Sequence, residues 1–137
     1  MKKTKILIPV YNDWKSVFKL LEDINEGLDG WGRDIAEVSV IIINDGSTEG
    51  RPQNNSKFDN LNSIKIINMK ENKGHARSNA AGLKYINSKE DFDFVILMDG
   101  DGEDRPKEIG PLLCMGYEDP DKVITANRVK RSEGLLF

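Results

Sequence analysis

At 137 residues the chain is long enough to bury one core and short for an enzyme that must hold two substrates, so it is read as a single domain. The formal net charge is −3 and the basic residues are scattered. Nothing favours nucleic acid as a partner, and any anionic ligand must be held locally by a metal or a few placed cations. Cys114 is the one cysteine, which excludes internal disulfides and Cys-based zinc sites, and the one histidine, His75, argues against a His-ligand metal centre. Met1-Lys2-Lys3 leads into an apolar stretch far too short for a signal-peptide core or a membrane span, so the reading is a cytoplasmic protein.

The first apolar run, Lys5 to Val10, reads as a strand ending in the turn Tyr11-Asn12-Asp13, where Asn12 or Asp13 can cap a helix. From Trp14 to about Leu28, Val17, Phe18, Leu20, Leu21, Ile24 and Leu28 recur at helical spacing, and Gly27, Gly30 and Gly32 are expected to close that helix. Glu37–Ile43 is β-branched and apolar on both faces, as in a central parallel strand, and it ends in Asn44-Asp45-Gly46-Ser47-Thr48. Residues 49–62 are the least periodic part and are expected to hold a short helix in a mobile loop. Ile64–Asn68 is a third strand. Asn72–Ile86 opens as a turn and becomes a helix rich in small residues, which can approach a sheet or a ligand closely.

The strand that follows, Val95-Ile96-Leu97-Met98, runs directly into Asp99-Gly100-Asp101-Gly102-Glu103-Asp104. If the extended trace continues, Asp99, Asp101 and Glu103 point to one side, the arrangement that a hard divalent cation with oxygen ligands needs. An EF-hand is ruled out, because its sixth and twelfth positions counted from Asp99 are Asp104 and Gly110. Pro106 suits the first turn of a helix to about Gly116, and Val123–Ala126 reads as a fifth strand. Strands alternating with helices imply an α/β architecture with a parallel, doubly wound sheet.

In such a sheet the polar clusters after the first, second and fourth strands share one edge, where ligands bind. A nucleotide fits there, with Asp45 accepting from a base N–H. Arg77, in the opening turn of its helix, is placed to reach a diphosphate oxygen, and Arg128 and Arg131 are further candidates for phosphate. Each has a plainer reading as a solvated side chain, and His75 by default is a surface imidazole.

With those clusters in order, the chain resembles the family 2 nucleotide-sugar glycosyltransferases, inverting enzymes with the GT-A fold. Ile8-Pro9-Val10-Tyr11-Asn12-Asp13 looks like the family's opening. Ile43-Asn44-Asp45-Gly46-Ser47 looks like its Asp-Asp-Gly-Ser, with Asn44 replacing the first Asp, and Asp99-Gly100-Asp101 is similar to its Asp-x-Asp. Gly74-His75-Ala76-Arg77, Met98–Pro106 and Arg128–Gly134 resemble signatures of the bacterial branch related to dolichyl-phosphate mannose synthase.

The resemblance implies a GT-A, Rossmann-like, mostly parallel sheet whose residues 1–137 are the donor-binding portion, stopping before the acceptor-binding half. It implies that Pro9, Tyr11 and Asp45, with Asn12 and Asp13 beside them, lie on the nucleoside side. Asp99 serves the ribose or diphosphate, and Asp101 and Glu103 with Asp99 hold Mg²⁺ or Mn²⁺. Arg128 and Arg131 face donor or acceptor phosphates.

The expected reaction is metal-assisted transfer of a sugar from a UDP or GDP donor, with inversion, to an acceptor such as a polyprenyl phosphate. That acceptor is already ionised and needs no strong base; a base for a hydroxyl acceptor would lie beyond Phe137. Membrane contact is expected only through further C-terminal segments, which would bring the full-length protein to the inner face of the cell membrane. Two other classes stay open: a non-catalytic nucleotide-binding module, and a haloacid-dehalogenase-type phosphatase with Asp99 as nucleophile.

Overall fold

The computed structural model describes residues 1–31, 36–54, 56–100 and 106–119. They fall into two units, Met1–Lys107 and Glu108–Phe137. In chain order the elements are β1 (Lys2–Val10), α1 (Trp14–Trp31), β2 (Ala36–Asn44), β3 (Ser63–Asn68), α2 (His75–Lys89) and β4 (Phe94–Leu97). A single 3₁₀ turn, Pro106–Glu108, precedes α3 (Ile109–Glu118).

The four strands form one sheet in the order β3-β2-β1-β4, and every pair is parallel. Residues that alternate along β1 and β2 therefore serve opposite faces. On one face Leu7, Ile41 and Ile43 join Ile86 of α2 in a buried cluster. Burying each of these side chains contributes roughly 1.5–3 kcal/mol relative to leaving it in water. Gly82 is what lets α2 lie so close: a Cβ there would come within 3.1 Å of Ile43 Cγ1 and nearer still to the Leu7 methyls. The other face carries Ile6, Ile8, Val40 and Ile42, all fully buried, as are Val17 and Ile24 of α1. The near-continuous apolar runs of β1 and β2 follow from their being covered on both sides.

Two expectations are corrected. The first helix is not closed by Gly27 or Gly30 but continues through both to Trp31, the residue before Gly32. A mid-helix glycine costs about 1 kcal/mol, and the buried stripe Leu20, Leu21, Ile24 and Leu28 outweighs that penalty. The described residues of 49–62 contain no helix. They are held instead by long-range polar contacts to α1. Asn60 donates its backbone N–H to Asn25 Oδ1 at 2.9 Å and its side-chain amide to the Asn25 carbonyl at 2.8 Å. Leu61 is buried beside them, and the Asn62 N–H joins the Val38 carbonyl at 2.7 Å. Short polar residues compete well with a helix when such partners exist.

In the second unit, α3 buries Ile109, Gly110, Leu113 and Gly116. Cys114 is exposed with a free thiol. No helix among the described residues is long and apolar enough to cross a membrane. The expected fifth strand, Val123–Ala126, lies outside the described residues.

Candidate functional site

The chain steps outward from β1 to β2 to β3 and then returns to set β4 on the other flank of β1. Where the order reverses, between β1 and β4, a crevice is expected at the carboxyl ends of the strands. A cavity of about 500 Å³ lies there, lined by Pro9, Val10, Tyr11 and Asp13 from the end of β1 and by Asp45 from the end of β2. His75 of α2 and Asp99 and Gly100 after β4 also line it. Its size falls in the range of roughly 300–1,000 Å³ usual for small-molecule sites.

The β1 and β2 sides are tied tightly together. Asn12 takes a left-handed conformation, φ 63°, which Asn tolerates better than most residues. That turn directs its side chain away from the cavity and onto the next loop. Asn12 Oδ1 accepts the N–H groups of Thr48 at 2.9 Å and Glu49 at 3.0 Å, while its amide donates to the Thr48 hydroxyl. The Asn12 backbone N–H in turn donates to Ser47 Oγ. Asn44 braces the same loop from below, accepting the Ser47 N–H and donating to Asn68 Oδ1 on β3.

Asp45 is only 4% exposed, and its carboxylate closes a second tie. One oxygen accepts the Lys73 N–H at 2.8 Å and the other the Gly74 N–H at 3.0 Å, so the start of α2 is fixed to the end of β2. The turn leading out of Asp45 needs glycine. Gly46 has φ +69°, and a Cβ there would stand 2.7 Å from the Glu71 carbonyl carbon.

Across the cavity, His75 Nε2 lies 2.9 Å from Asp99 Oδ1. Sequence reasoning read His75 as a surface imidazole and missed this contact. The signal was its position, since a helix that follows a parallel strand starts at the same edge as the strand ends. Gly100 allows the chain after Asp99 to pass close to α1 and β1, because a Cβ would meet Val17 Cγ2 at 2.7 Å.

Of the residues singled out from sequence, the structure gathers Pro9, Tyr11, Asp13, Asp45 and Asp99 around one cavity. Asn12 stands between two of them with its side chain on the 47–49 loop, and Arg77 is exposed on α2 without lining the cavity. Asp101, Glu103, Arg128 and Arg131 lie outside the described residues. Among the described residues no three His, Cys, Asp or Glu side chains gather as a ready metal site.

The charges around the cavity bear on what it can hold. Among the described residues three carboxylates and one imidazole line it, and Asp45 has its charge met by two backbone N–H groups. A bare anion is poorly served there, whereas a hard cation set between carboxylate oxygens and a diphosphate suits this donor chemistry.

Comparison with known proteins agrees with this architecture. S. aureus TarS 1–349 in complex with UDP-GlcNAc superposes with a TM-score of 0.62 at 22% identity, over 85% of this chain and 31% of that one. The UDP complex of the same TarS fragment gives 0.62 and 22%, over 85% and 32%. Both share the GT-A fold of this α/β sheet. In sequence, the Uncharacterized protein MJ0544 of Methanocaldococcus jannaschii is 26% identical over 109 residues, 78% of this chain and 44% of that protein. The chain thus spans less than half the length of the relatives it matches. The family description "Glycosyl transferase family 2" matches residues 5–137, nearly the whole sequence, and the chain belongs to that family.

Proposed function

We propose that this chain is the donor-binding portion of a nucleotide-sugar glycosyltransferase that transfers a sugar, with inversion, from a nucleoside diphosphate. The observation that carries the reading is the convergence of the ends of β1, β2 and β4 on one acidic cavity at the reversal of strand order. Family membership supports it, and so do the UDP and UDP-GlcNAc named for the TarS complexes of the same fold.

The residues divide the work by position. Tyr11, 45% exposed at the rim, offers an aromatic face to the nucleoside, and Pro9 and Val10 form the apolar floor beneath it. Asp99 would hold Mg²⁺ or Mn²⁺ together with Asp101 and Glu103. Bound there, the cation would neutralise charge on the departing diphosphate. Arg77, Arg128 and Arg131 are the cations of this chain assigned to phosphates. The acceptor is a polyprenyl phosphate, as in the branch related to dolichyl-phosphate mannose synthase, so no strong base is required of this part of the protein.

Calorimetric titration of the chain with UDP and with GDP, each with and without Mn²⁺, tests the proposal. One nucleotide should bind in a metal-dependent way, and Asp101→Ala should weaken that binding by at least about tenfold. Absence of metal-dependent binding, or binding undiminished in Asp101→Ala, would overturn it.

A further inference from the structure

We infer that His75 is a positioning residue that fixes the Asp99 carboxylate for the metal–diphosphate end of the donor; this rests on the donor-binding reading above. Four observations lead there. His75 Nε2 lies 2.9 Å from Asp99 Oδ1, and both side chains line the cavity, so the contact is made at the ligand space itself.

Second, the imidazole is anchored from behind. His75 is the first residue of α2, and the two residues before it are held through their N–H groups by the buried carboxylate of Asp45. Its backbone therefore inherits the rigidity of β2.

Third, Asp99 sits where the sheet ends. It follows a strand of only four residues at the flank of the described sheet, and its side chain is 43% exposed. A contact to one carboxylate oxygen narrows the rotamers open to such a side chain.

Fourth, the pair has little structural value. With side chains 58% and 43% exposed, it belongs to the class of surface ion pairs that add almost nothing to stability. A contact that does little for folding and lies on a ligand cavity has its consequence in binding.

The role differs from direct contact in a measurable way. If His75 acts through Asp99, its loss weakens the metal-dependent part of nucleotide binding. If it touched the nucleoside, binding without metal would fall as well.

The test is calorimetry of UDP and GDP with and without Mn²⁺ on the wild-type chain, His75→Ala and His75→Gln, with thermal unfolding of each. His75→Ala should lose about tenfold in metal-dependent affinity, the worth of one hydrogen bond to a charged group, with an unchanged unfolding midpoint and unchanged metal-free binding. Gln can place an amide N–H near the position of Nε2, so His75→Gln should restore most of the affinity. Wild-type affinity in His75→Ala overturns the inference, as does an equal loss without metal or a failure of Gln to rescue. A wild-type chain that binds no nucleotide with Mn²⁺ overturns the donor-binding reading itself, and the two failures are thereby distinct.

Discussion

Toward the amino ends of the strands, the Glu90 carboxylate, only 8% exposed, lies 2.9 Å from Lys65 Nζ and 3.7 Å from Lys5 Nζ. At the carboxyl ends, Asp13 and Asp99 open onto a cavity that, among the described residues, is lined by no lysine or arginine. The same kind of residue is thus placed for cohesion at one end of the sheet and for a ligand at the other. Asp45 stands between the two cases: it lines the cavity, yet both its oxygens are occupied by backbone N–H groups of the turn before α2. It shows that a site built at strand ends needs its own internal bracing, because the sheet's hydrogen bonds have stopped.

The largest effect is expected where bracing and site coincide. Asp45→Ala removes a 4%-exposed carboxylate and leaves the Lys73 and Gly74 N–H groups without their acceptor. Buried orphaned donors cost about 1–3 kcal/mol each, and these two are only part-buried, so the variant should lose roughly 2–4 kcal/mol in urea unfolding, together with nucleotide binding. Asp45→Asn retains one acceptor oxygen and should fall between Ala and wild type. An unfolding midpoint unchanged in Asp45→Ala would show that the turn holds itself and that Asp45 serves the ligand alone.

How much of this could be read from sequence follows the same division. Ile6 to Val10 and Val40 to Ile43 declare themselves as strands because burial on both faces favours unbroken apolar runs. The stripe Val17, Leu20, Leu21, Ile24 declares α1 by its spacing alone. What is local is legible. Asn60 gives no such sign, because its partner Asn25 lies on a helix made earlier in the chain, and the segment, which reads as a loop with a short helix, is pinned without one. The meeting of His75 with Asp99 depends on β4 returning to the flank of β1, a choice among topologies rather than a property of either stretch. Asn12 stands in sequence among residues that line the cavity, and only its φ of 63° turns it onto the neighbouring loop.

A smaller effect is expected at the opposite end. The Lys65 ammonium, hydrogen-bonded to Glu90, and Lys5 beside it hold the Glu90 carboxyl below its ordinary 4.5, against the opposing push of burial. A carboxyl depressed in the folded state contributes stability that is complete above its unfolded value and is lost as pH falls through its folded value. Glu90→Gln should therefore be less stable than wild type by about 1–2 kcal/mol near pH 7. The gap should narrow steadily below about pH 4.5, as wild-type Glu90 takes up its proton. Urea midpoints of both proteins across that range decide it, and a gap constant with pH would place the loss in packing rather than charge.

The smallest effect is expected at Lys3, where two acids a residue apart make different contacts. Lys3 Nζ meets Asp91 Oδ2 at 2.6 Å, with side chains 44% and 82% exposed. The hydrogen bond between them raises the Lys3 ammonium and lowers the Asp91 carboxyl from their ordinary values. Water and salt screen so open a pair, and holding two flexible side chains together offsets much of the attraction. Asp91→Asn should leave the unfolding midpoint where it is, most clearly at high salt. Asp93 is tied otherwise: its carboxylate accepts the Lys3 backbone N–H at 2.7 Å, and its own N–H donates to the Lys3 carbonyl at 2.7 Å, joining the start of β1 to the approach to β4. Asp93→Ala should shift the midpoint where Asp91→Asn does not. If the two behave alike, exposure rather than the kind of partner decides what a carboxylate contributes, and the contrast between the two ends of the sheet reduces to burial alone.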